Sequence, residues 1–164
     1  CGDKTEVEST TQPVSETESD VVTISIKKDR VDETTFLTSV SEFEGITVSN
    51  TDVFYVLEMS KETYITFLES KAQEVYDSFD TLVNAGSFIE EIEHGENFRT
   101  ITVLVNRDGF DAIGKDTQRL QLITVGAYAM SYQMFLTEGE KTTVTAVYSD
   151  TNEEAMVITL PITV

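Results

Sequence analysis

The 164-residue chain holds one cysteine, one histidine, two prolines and no tryptophan. A lone cysteine, Cys1, rules out an intramolecular disulfide and structural zinc of the multi-cysteine type. Basic residues are also scarce, 11 Lys and Arg against 30 Asp and Glu, for a net charge of −19. Binding nucleic acid takes a basic footprint that displaces counterions from phosphates, so nucleic acid is excluded as a partner. The same charge opposes lying flat on anionic lipid, while it favours solubility at a crowded surface. With eight glycines and two prolines, the body is neither collagen-like nor low-complexity. What is present is bulk for a core: 40% apolar residues, with nine Phe and six Tyr. The length fits one domain with a short appendage.

Residues 1–20 are dominated by Ser, Thr and acids, and Val7 and Val14 are their only large apolar residues besides the cysteine. Such a stretch buries too little apolar surface to offset the entropy of ordering it. It reads as a disordered tether, with a folded domain over 21–164. Cys1-Gly2 ahead of this polar stretch resembles a mature bacterial lipoprotein after signal peptidase II cleavage. That resemblance implies a diacylglyceryl thioether on Cys1, a membrane partner reached through that lipid, and an extracytoplasmic location. Two acyl chains suit stable anchoring, because each buried methylene contributes only ~0.8 kcal/mol. A flexible tether of this length spans about 25 Å, at ~5–6 Å times the square root of residue number.

From Val21 the pattern changes. Val21–Ile26 alternates as a strand, and 32–44 carries Phe36, Leu37, Val40 and Phe43 at helical spacing, a short helix. Ile46–Val48 and Val53–Met59 form a hairpin around Asn50-Thr51-Asp52. Ser60 then caps a long helix whose stripe runs through Tyr64, Leu68, Ala72, Val75, Phe79 and Leu82, widened by Ile65, Tyr76 and Val83. Asn84-Ala85-Gly86 stops it. A second hairpin joins 88–92 to 98–105. A second helix lies within 109–136, broken near Gly114, and a third hairpin joins 142–148 to 155–160. The expectation is an α+β fold with a mainly antiparallel sheet and two long helices on one face. Met59–Tyr64 and Val105–Phe110 share a strand end, a capping residue, a base, an acid and an aromatic, which suggests a ββα unit used twice.

The body also resembles uncharacterised lipoproteins of Gram-positive gut bacteria. The resemblance rests on Val22–Ile26, Glu58-Met59-Ser60-Lys61, Phe98–Val103 and the Tyr-rich, charge-poor second helix. No activity or site residue comes with that group.

Three candidate sites follow. Leu120–Leu136 carries no charge, yet its 17 residues include Gln121 and Gln133. A span needs about 20 mostly apolar residues, so a helix packed on the sheet through Gly126, Ala127 and Ala129 is expected. His94 falls in a turn, and no G-x-S-x-G, H-E-x-x-H or P-loop pattern accompanies it. No catalytic or cofactor-binding residue is assigned. Glu91 and Glu93 share a strand face, with Glu90 on the other, and form a weak cation-site candidate; calcium needs about six to eight converging oxygens. Two function classes remain. The first is a non-enzymatic surface module that binds a protein, glycan or small ligand or supports the envelope. The second is an extracellular hydrolase working through a pair of carboxylates with raised pKa values.

Overall fold

The computed structural model describes residues 20–162. Cys1 and the expected tether up to residue 19 lie outside them. The elements run β1 (Val21–Lys27), α1 (Glu33–Ser41), β2 (Thr47–Asn50), β3 (Phe54–Ser60), α2 (Lys61–Asn84), β4 (Ile89–His94), β5 (Thr100–Val105), α3 (Arg107–Ala112), α4 (Lys115–Gln133), β6 (Thr142–Tyr148) and β7 (Glu154–Leu160). The fold is α+β. The three expected hairpins form as β2–β3, β4–β5 and β6–β7, and β1 pairs antiparallel with β3.

The strands make two sheets rather than one, of order β1-β3-β2 and β4-β5-β6-β7. Within the second, β5 and β6 run parallel, with Ile101 opposite Val144 and Val103 opposite Ala146. Parallel neighbours need a crossover, and α3 with α4 provides it. Alternation then sorts the faces. Ile101, Val103, Val105, Val144 and Ala146 are buried beneath the helices, while Thr100, Thr102, Thr143 and Thr145 point the other way.

Each sheet has its own core. Ile24, Ile26, Tyr55, Leu57 and Met59 pack with Phe36 and Val40 of α1. The larger core joins the second sheet to Phe110 of α3, to Leu122, Val125 and Ala129 of α4, and to Val75 and Phe79 of α2. The 24-residue α2 belongs to both, since its Phe67 sits in the first core and its Val75 and Phe79 in the second. Most of its expected stripe faces inward, with Val75 and Phe79 buried and Tyr64, Leu68, Ala72, Leu82 and Val83 packed against the cores; the corrections are that Phe67 and Lys71 are buried as well, while Ile65 and Tyr76 are exposed.

Ser60 accepts from the Thr63 N–H at 3.1 Å, and Asn106 accepts from the Gly109 N–H at 3.0 Å, so both expected caps form. The units diverge after that. α2 runs unbroken, whereas α3 stops at Ile113 and α4 restarts from Gly114, whose φ of +72° lies in the left-handed region glycine favours. A repeated ββα unit is not confirmed.

α4 lies on β6 and β7. Gly126 and Ala129 are buried there, but Ala127 is exposed, which corrects its expected place on the sheet. A Cβ at Gly126 would collide with Leu160 and come within 3.2 Å of Val144 Cγ2. Among the described residues, no helix is long and apolar enough to cross a membrane.

Candidate functional site

The α1, α2 and α4 helices meet at one place where the packing stays open. Asp32 starts α1 by accepting the Thr35 N–H at 2.9 Å, which turns Phe36 inward and leaves Thr35 and Ser39 along its flank. α4 ends at Gln133, and the chain continues through Met134 to Phe135, which is buried edge-on to Phe67 with ring centroids 4.8 Å apart. The Tyr64 hydroxyl donates to the Phe135 carbonyl at 2.8 Å and fixes that turn against α2. Between these elements lies a cleft of about 280 Å³ lined by Phe36, Lys71, Glu74, Met134 and Phe135, among others. That is near the lower end of the range for small-molecule sites.

Lys71 is the unusual residue. It occupies the second position of the inward stripe Phe67-Lys71-Val75-Phe79, between Phe67 of the first core and Val75 of the second, and is 6% exposed. A lysine so buried requires a partner. Its ammonium donates to Glu74 Oε1 at 2.9 Å and stands 5.5 Å from the Phe67 ring centre and 5.9 Å from that of Phe135. Glu74 itself is at the mouth, its side chain 64% exposed. The pair is thus half in the protein and half in water, where its attraction is screened. Asp32, also lining the cleft, is held below its ordinary carboxyl value, chiefly by the Thr35 backbone N–H and then by the Thr35 side chain.

A second hollow of about 200 Å³ shares Met134 and is lined by Lys27, Arg30, Phe54 and Glu140, with Arg30 bonded to Glu140 at 2.7 Å. A larger one of about 420 Å³ lies along the β7 edge between Lys115, Asp116, Arg119 and residues 156–159. Its three charged residues are exposed, and no buried charge lines it. The Lys71 cleft combines a buried charge with an apolar wall, the usual makeup of a binding pocket.

The residues singled out in the sequence lie elsewhere. Glu91 and Glu93 are exposed on β4, opposite Leu104 and Thr102. A register shift between Ile89 and Glu91 leaves Glu90 exposed as well. Among the described residues, no group of three or more His, Cys, Asp or Glu stands close enough together to hold a metal. His94 ends β4, exposed, with Nδ1 3.0 Å from the Gly95 carbonyl and its ring 4.6 Å from that of Phe98.

Sequence reading missed Lys71 because a lysine in an amphipathic helix defaults to the solvent face. The available signal was the spacing of Phe67, Val75 and Phe79 at multiples of four, which puts position 71 on their line. No family model matches the chain, and no curated protein or solved structure matches it.

Proposed function

We propose that this chain is a lipid-anchored, extracytoplasmic, non-enzymatic module that binds a small ligand in the Lys71 cleft. The observation that carries the reading is Lys71 itself. An apolar side chain of similar length would fill position 71 without desolvating a charge, so stability alone gives no reason for a lysine there. An ammonium beside an open apolar cleft is the arrangement that fixes a ligand's orientation. Cys1, Gly2 and the polar stretch behind them support the anchor, which would hold the cleft clear of lipid headgroups. The hydrolase alternative needs a carboxyl poised as a proton donor, and within this cleft Asp32 does not supply one, being engaged as the cap of α1 and held below its ordinary value.

Native mass spectrometry of protein extracted from its own envelope tests both parts. The wild-type chain should carry a diacylglyceryl mass on Cys1 and release a small molecule that Lys71→Met fails to retain. An unmodified Cys1 thiol overturns the anchor. Equal retention by both chains, or by neither, overturns the cleft.

A further inference from the structure

We infer that the ligand of this cleft is a small amphipathic monocarboxylate, its carboxylate taken by Lys71 and its apolar body laid along Phe36, Met134 and Phe135. The inference rests on the cleft being a ligand site and adds the chemical class. Depth decides the sign of the headgroup. The acids of the cleft belong to Glu74, exposed at the mouth, and to Asp32, already engaged as the cap of α1. The base is buried. An incoming cation would gain only screened attraction from the rim and would meet the Lys71 ammonium in the less polar interior. An incoming carboxylate replaces Glu74 as the partner of that ammonium. Glu74 then swings into water, where most of its side chain already is, so its release costs little and restores rotamer freedom.

An ammonium has three N–H donors, and Glu74 Oε1 takes one of them at 2.9 Å. A ligand carboxylate is thus accepted without any change in Lys71. The wall formed by Phe36, Met134 and Phe135 asks for an apolar body, and about 280 Å³ limits it to a few rings or a short chain. Among the described residues that line the cleft Lys71 is the one base, so a second negative charge would find no partner there and would face Asp32, which favours a monoanion.

Three isosteric probes separate the alternatives: 4-phenylbutyrate, 4-phenylbutylamine and 4-phenyl-1-butanol. Binding to the whole chain is read from the ¹³C-methyl signal of Met134, which lines the cleft. The butyrate should bind about tenfold tighter than either other probe, the gain expected of a charge-assisted hydrogen bond. Lys71→Met should reduce that preference to about one, and Glu74→Gln should strengthen butyrate binding several-fold while leaving the alcohol unchanged. If the amine or the alcohol binds as well as the butyrate, the class is wrong and the ligand site stands. If no probe moves the Met134 signal, the site and the class both fail. Should Lys71→Met not fold, Glu74→Gln decides, because its side chain is at the solvent-facing rim; unchanged or weaker butyrate binding overturns the inference.

Discussion

Replacing Gly126 by leucine tests how closely α4 sits on the second sheet. The first added carbon already collides with Leu160 and crowds Val144, and both of those side chains are buried. Leucine brings three further carbons into the same space, so the overpacking cost falls toward the upper part of ~1–3 kcal/mol. Removing a helical glycine returns about 0.8–1 kcal/mol of propensity. The net loss is about 1–2 kcal/mol, or roughly 2–8 °C in Tm for a chain of this size. Gly126→Ala is the internal control. It displaces the end of the Leu160 side chain and nudges Val144 by a few tenths of an ångström, at ~0.5–1.5 kcal/mol for an off-rotamer position, and regains a similar propensity term, so it should melt within about 1 kcal/mol of the parent. Urea and thermal melts followed by far-ultraviolet circular dichroism give both numbers. A Gly126→Leu chain as stable as the parent would show that this face of α4 is not held against β6 and β7.

Gln133→Leu should cost about 2–4 kcal/mol in urea melts, because the buried amide bonds the Asn97 and Lys141 carbonyls and the Lys141 N–H, which would all lose a partner. Glu69→Gln, on the exposed side of α2, should stay within ~0.5 kcal/mol in the same assay. Arg107 stacks on Tyr148 and grips Asp150 through Nε at 3.0 Å, and its hydrogen bond holds the Asp150 carboxyl below its ordinary value. That contribution is complete above about pH 4 and is lost as pH falls through the depressed native value. Arg107→Gln should therefore lower Tm at neutral pH and flatten its decline on the acid side; an unchanged acid limb would contradict the assignment.

The hairpins were legible because their turns and alternation are local. Asn50-Thr51-Asp52 and Asp150-Thr151-Asn152 fall between runs with the period of two that β-strands require. The break at Gly114 was legible for the same reason. The division into two sheets was not, because local pattern does not say which hairpins share hydrogen bonds. Nor was the parallel β5–β6 pair, which depends on where α4 returns the chain. Ala127 and Ala129 look alike in sequence, and only the rotation of α4 separates the exposed one from the buried one. The cleft was hidden for a related reason. Its walls come from residues as far apart as Val31 and Phe135, and Lys71 reads as a solvent-facing residue until Phe67 is known to point inward.

On the proposed reading, Lys71 is present for a ligand and not for the fold. Measuring stability and 4-phenylbutyrate affinity on the same Lys71→Met preparation tests it directly. Exchanging a half-hydrated ion pair for a methionine among Phe67 and Phe135 removes a desolvation cost, so the unfolding free energy from urea melts should hold or rise, by up to about 1 kcal/mol. The preference for the carboxylate over 4-phenyl-1-butanol should disappear in that same sample. A chain that loses several kcal/mol while its carboxylate preference is unchanged would show the opposite: that Lys71 holds the two cores together and takes no ligand.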